Sequence, residues 1–311
     1  MSLISEPAVR SSVSASLKGS GVDWRGWLFQ GFLLFCLVFA LGVLAFLIVD
    51  IVNGGWTVFA DRGTDFLTSG LSSRAPSAGV WQALTGSFFI ALFVALFAIP
   101  LGVMTAIYLE EYAPSNRLTS FISVNIRNLA GVPSVVYGLL GLAVFVPFTQ
   151  LIAGGTGRNV IAAAITLSAL VLPIVIITAS EALRAVPLTL REGGYGVGGS
   201  RWQVTSRLVL PAAGPGILTG MILSISRALG ETAPLIIIGA SWTFFSSGDK
   251  GFVDQLFGSF TALPVLVFGW ASNPQQAFRE LTSAAIIVLL AVTLFANAVA
   301  IILRNRYERQ W

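Results

Sequence analysis

Apolar residues arrive in six runs long enough to cross a bilayer, at about 27–49, 86–108, 131–152, 159–183, 216–240 and 284–303, with charge, glycine and proline collected between them. A helix rises about 1.5 Å per residue and the hydrocarbon layer is about 30 Å thick, so about 20 residues suffice for each crossing. The pattern predicts an all-α membrane protein with six transmembrane helices in one domain over 27–305, between a tail at 1–26 and a short end at 306–311. Two segments fit less simply. Residues 118–130 contain Asn125, Arg127 and Asn128, and read either as an in-plane helix or as the start of a long third span. Residues 256–270 are apolar but short and are broken by Pro264, which predicts a re-entrant or interfacial segment.

Composition agrees with lipid as the solvent: 55 % of the 311 residues are hydrophobic and 10 % charged, and the mean hydropathy is +0.85. The net charge of +4 does not call for nucleic acid, because the basic residues sort by side. With the N-terminus inside, Arg10, Lys18, Arg25, Arg117, Arg184, Arg191, Arg201, Arg207, Arg304, Arg306 and Arg309 fall in the cytoplasm, against Arg62, Arg74, Arg158, Lys250 and Arg279 outside. Retention of Lys and Arg inside then predicts cytoplasmic termini and an uncleaved first span. Trp24, Trp27, Trp56, Trp81 and Trp242 lie near span ends, where interfacial aromatics belong. The absence of histidine removes Ser-His and Cys-His catalysis and His-liganded metal. Cys36 is the one cysteine, so no intramolecular disulfide forms, and its apolar surroundings predict a packing role.

The loop 184–210 carries four arginines, Arg184, Arg191, Arg201 and Arg207. Its spacing is specific: Glu192-Gly193-Gly194, three residues, Gly198, nine residues, then Leu208-Val209-Leu210-Pro211. This resembles the EAA signature of ABC-importer permeases, with both alanines replaced by glycine. The resemblance implies a short coupling helix that docks on a cytoplasmic ATPase. Small residues at Gly193, Gly194 and Gly198 permit close approach, and Glu192 and the arginines, Arg201 among them, can pair with charges on that partner. The alternative is that the arginines only enforce topology.

The fifth run places Arg227 and Glu231 in apolar surroundings, four residues apart and on one face of a continuous helix, where they can pair. An arginine at a helix centre costs about 2.5 to 3.5 kcal/mol on insertion scales, so it is expected to face a bundle interior or an aqueous path. Ser224 and Thr232 add hydroxyls nearby. A guanidinium presents a planar donor fork to an oxyanion, with the carboxylate holding it when the path is empty. A purely structural ion pair is the competing reading.

The stretch Ser226 to Pro234, SRALGETAP, and the stretch Asn125 to Leu142, NIRNLAGVPSVVYGLLGL, resemble the phosphate-importer permeases PstA and PstC, with Ala233-Pro234-Leu235 closer to PstA. The resemblance covers about residues 84–305. It implies a type I (MetI-like) ABC importer permease fold and a non-catalytic subunit of an ATP-driven inorganic phosphate importer in the bacterial inner membrane. Implied partners are a PstC-like permease, two copies of a PstB-like ATPase and a periplasmic or lipoprotein phosphate-binding protein. ATP and Mg belong to the ATPase, since this chain has no Gly-x4-Gly-Lys-Ser/Thr run and no cofactor is expected on it. Arg227 and Glu231 match the family's intramembrane pair, and Arg184 lies in a similar basic context at the end of the fourth span. Arg127 is a further candidate for the path. The same architecture could serve another oxyanion or an organic phosphate, and an ATP-independent channel or secondary carrier is the more distant rival.

Overall fold

The computed structural model describes residues 24–242 and 256–308, with side chains through Arg306. Most of the predicted tail and the basic residues Arg10, Lys18, Lys250 and Arg309 lie outside the described residues. In chain order the helices are α1 Trp24–Arg62, α2 Asp65–Thr68, α3 Trp81–Ile107, α4 Arg117–Ala130, α5 Ser134–Leu140, α6 Val146–Ala153, α7 Val160–Arg184, α8 Leu188–Gly196, α9 Arg201–Val204, α10 Leu210–Gly230, α11 Ala233–Ile238, α12 Leu263–Ala271 and α13 Gln276–Glu308. Wider π-turns extend α3 through Tyr108–Tyr112, join α5 to α6 through Gly141–Phe145, and join α9 to α10 through Thr205–Val209. Among the described residues there is no strand, and six helical stretches are long and apolar enough to cross a membrane.

The chain divides into two units at residue 50. In the first, every described residue of α1 is exposed, Cys36 included. The second unit, from Ile51, holds the remaining elements. The helix that begins there with the end of α1 runs to Arg62, beyond the 27–49 run, because its glycines Gly54 and Gly55 lie where it meets Ser283 and Ala284 of α13, and no proline interrupts it.

The centre of the second unit is α7. It starts on Asn159, whose Oδ1 accepts from the Ala162 N–H at 2.9 Å, a side-chain N-cap. It packs between α3 and α10. The helix–helix contacts rest on small residues, as expected where lipid supplies no hydrophobic drive between spans. A Cβ added at Gly102 of α3 would stand 2.6 Å from Val175 Cγ1, and one at Gly216 of α10 would stand 2.7 Å from the Ala182 Cβ. Gly220 likewise abuts Thr178, whereas Gly230 faces open space, and Gly239 ends α11 with φ +109° against the Arg158 side chain.

The two ambiguous segments take definite forms. α4 is a separate amphipathic helix capped by the Asn116 side chain and ended at Gly131, not the start of the third span. α12 has nine residues, too short to cross, and is largely buried against α3 and α13. The fifth span departs most from expectation. Its helix begins far before residue 216 and stops at Gly230 instead of running to 240. Pro234 is the physical reason: it lacks an N–H, and in a continued helix its ring would press on the carbonyl four residues back, at Gly230.

Candidate functional site

The helix break puts the intramembrane charges in a different setting from the one predicted. Arg227 lies in the last turn of α10, and Glu231 is the residue just beyond it, with φ −75° and ψ 126°. Arg227 Nε donates to Glu231 Oε1 at 3.2 Å. The two are therefore not a mid-helix pair; the carboxylate reaches back across a helix end. The arginine side chain is 43 % exposed and the glutamate 17 %. Thr232 precedes α11 and accepts the Ile236 N–H on its carbonyl. Ser224, by contrast, is buried and gives its hydroxyl to the Gly220 carbonyl at 2.8 Å. Its neighbour Ser226 reaches the Asn297 side chain of α13, a polar contact that the sequence did not suggest.

The two stretches that carried the resemblance meet here. A Cβ on Gly138 of α5 would lie 2.8 Å from the Pro234 Cα and 2.9 Å from the Ile237 side chain. Tyr137, one residue earlier, donates its hydroxyl to the Leu129 carbonyl at the end of α4, 2.9 Å away. NIRNLAGVPSVVYG thus braces the broken fifth span through one close backbone contact.

Arg184 and Arg127 belong to a second place. With Glu110, Ser123, Ser180 and Glu181 they line a small solvent-open crevice between α4, α7 and the end of α3. Arg184 Nε donates to Glu110 Oε2 at 2.8 Å. Antiparallel contacts of α10 on α7 (Gly220 on Thr178, Gly216 on Ala182) set Arg227 level with Val171. Arg184 then lies about 20 Å farther along α7 at 1.5 Å per residue. The candidates mark two stations, not one cluster.

The loop 184–210 folds into α8, α9 and a π-turn. Pro187 opens α8, Gly198 turns the chain at φ +82°, and Ser200 with Gln203 forms a capping box at the start of α9. Glu192 and Gly193 are exposed. Gly194 faces inward, against Leu208 and Val204, so it serves packing within the chain and not approach by a partner. The arginines are also largely spoken for. Arg191 pairs with the buried Glu111, and Arg201 lies over the Tyr112 ring with its guanidinium carbon 5.4 Å from the centroid. Beside the exposed Glu192 and Arg207, the segment also leaves large apolar side chains exposed: Leu188, Val197 and Trp202. The residues missed by sequence reasoning are Glu110, Glu111 and Tyr112. The available signal was a pair of adjacent carboxylates at the end of a span in a chain with 14 acidic residues. No group of three or more His, Cys, Asp or Glu that could hold a metal occurs among the described residues.

Comparison with known proteins agrees with this architecture. Residues 98–309 match the family described as binding-protein-dependent transport system inner membrane component. The chain is 35 % identical over 270 residues to the phosphate transport system permease protein PstA 1 of Mycobacterium tuberculosis (strain CDC 1551 / Oshkosh), covering 85 % of this chain and 84 % of that one. It is 33 % identical over 222 residues to the phosphate transport system permease protein PstA of Yersinia pestis, covering 71 % of each. In three dimensions it resembles a chain of a bacterial ABC transporter that imports the acidic polysaccharide alginate, with a TM-score of 0.64, 14 % identity and coverage of 91 % and 96 %. That likeness shows the fold of an ABC importer permease. The chain belongs to the family of binding-protein-dependent transport system inner membrane components.

Proposed function

We propose that this chain is one of two membrane subunits of an ATP-driven importer of inorganic phosphate, and that Arg227 and Glu231 form its anion station. The supporting observation is the interruption of an otherwise apolar span beside an accessible ion pair. Non-helical backbone at membrane depth is tolerated where it lines a cavity or is buried in protein, because lipid cannot satisfy freed N–H and C=O groups. A single contact of 3.2 Å on a half-exposed arginine is an exchangeable pair. Where such a pair faces water it is worth about 0–1 kcal/mol, so along an aqueous path a phosphate oxyanion offering two acceptors to the guanidinium fork can displace the carboxylate, and its departure restores the pair.

The remaining assignments follow from sequence and relatives together. The distribution of basic residues supports a cytoplasmic position for both termini and α8–α9, where the exposed Glu192, Leu188, Val197 and Trp202 would meet a PstB-like ATPase dimer that holds ATP and Mg. A PstC-like permease completes the pair, and a phosphate-binding protein delivers substrate from the other side. The family's description as binding-protein-dependent supports the last of these, a relative named as the permease PstC supports the second, and the ATPase is what the resemblance to ABC-importer permeases implies.

The decisive experiment reconstitutes the four-component complex in proteoliposomes and measures uptake of labelled phosphate. Wild type is expected to import on ATP addition, and Arg227→Gln to lose uptake while the complex still purifies whole. Full uptake by that variant would remove the anion station; loss of assembly would make the pair a structural one.

A further inference from the structure

Three consecutive residues of the π-turn that ends α3 hold three arginines of the loop 184–210: Glu110 holds Arg184, Glu111 holds Arg191, and Tyr112 lies under Arg201. The contacts are unequal. Arg184 is 54 % exposed and makes one bond to its carboxylate. Arg191 is 16 % exposed and its partner Glu111 only 5 %. Its Nη2 donates to Glu111 Oε1 and to the Leu183 carbonyl, each at 2.8 Å; its Nη1 donates to the Val186 carbonyl at 2.7 Å; and its Nε donates to Glu111 Oε1 at 3.3 Å. One side chain of α8 thus binds the Leu183 carbonyl in the last turn of α7, which also takes the Val186 N–H at 3.3 Å, and the Val186 carbonyl in the link that follows, and closes an ion pair with the end of α3. Leu183 and Val186, whose carbonyls it binds, belong to a buried apolar cluster with Ala106, Val204 and Val209.

We infer that Arg191 is a positioning residue for energy coupling: a strut that fixes α8 to the ends of α3 and α7, so that displacement of α8 is delivered to those two helices. The inference rests on the proposed function above. The geometry carries it, because no other arginine of the segment reaches two elements at once through three acceptors on buried groups. A fork with fixed donor directions resists rotation of α8 about the contact, which a single lysine bond does not. Removal of the strut leaves the exposed docking face of α8–α9 in place but lets α8 move without α3 and α7 following. ATP is then hydrolysed without proportionate transport.

The test uses the complete complex in proteoliposomes and measures phosphate imported per ATP hydrolysed, with co-purification of the ATPase as the control for docking. Arg191→Gln is expected to lower that ratio about tenfold with the ATPase still bound, because a buried carboxylate that has lost its partner rearranges locally. Glu111→Gln, which keeps an acceptor for the fork, falls less, and Arg191→Lys restores part of the ratio. An unchanged ratio in Arg191→Gln overturns the strut, and so does loss of the bound ATPase in both Arg191→Gln and Glu111→Gln, which reduces the pair to a folding or docking role. A second readout does not depend on the substrate: hydrogen exchange over residues 105–112 on trapping with a non-hydrolysable ATP analogue. A change present in wild type and absent in Arg191→Gln supports the strut, whereas the same change in both overturns it. Wild-type complex that hydrolyses ATP and moves no phosphate defeats the substrate assignment alone, and the exchange measurement then decides the strut.

Discussion

At the scale of single residues, the contrast between Arg227 and Arg191 is the informative one. Both are arginines paired with glutamate at a helix end, yet Arg227 makes one contact of 3.2 Å and is 43 % exposed, while Arg191 is 16 % exposed and bonds to one carboxylate and two carbonyls. Breaking a buried pair costs about 3–5 kcal/mol, against about 0–1 kcal/mol for an exposed one. The Arg191 pair is built to stay closed and the Arg227 pair to exchange. Arg227→Lys keeps the charge but not the planar fork, so uptake is expected to survive with a raised KM for phosphate, measured by labelled uptake against concentration. Glu192 has no ion pair among the described residues and stands exposed on α8. Glu192→Lys is therefore expected to reduce ATPase co-purification about tenfold or more if it meets a basic partner, since like charges opposed across an interface cost several kcal/mol.

At the scale of elements, apolar run length located all six long helices because each needs only enough hydrocarbon to cross lipid. It could not locate the end of α10. Leu235, Ile236, Ile237 and Ile238 continue the apolar run, so hydropathy reads through a break that Pro234 imposes by sterics four residues upstream. The extension of the same span toward Arg201 was hidden for the opposite reason, because its first turns are polar while still helical. The Arg227–Glu231 contact was legible from a spacing of four, but its setting at a chain reversal from helix to extended backbone was not. The joining of α5 to α11 depends on Gly138 facing the Pro234 Cα, a tertiary contact that no local pattern encodes. Gly138→Leu places a side chain against backbone and is expected to destabilise by about 1–3 kcal/mol or more, the cost of overpacking a tight contact. The check is a lower thermal midpoint of the detergent-solubilised complex, with uptake lost in step.

At the scale of the whole molecule, the chain belongs to a family of inner membrane components of transport systems. The described residues of α1 up to residue 50 are all exposed, and Leu188, Val197 and Trp202 stand bare on the α8–α9 segment. Reconstituted alone, the chain is expected to move no labelled phosphate with or without ATP; uptake in the absence of the ATPase would favour the channel or carrier reading. The π-turn at Thr205–Val209 adds a further consequence. A widened turn is one surplus residue in a helix, so α9 and α10 are indexed against each other by chain length as much as by side-chain identity. Excision of Ser206 is absorbed by tightening that turn, whereas insertion of one more residue beside it is not, and would swing everything before it by about 100°, the angular step of one helical residue. Trp202 and Leu188 would then point to a new compass bearing, and a segment whose every docking side chain is intact would no longer find its socket.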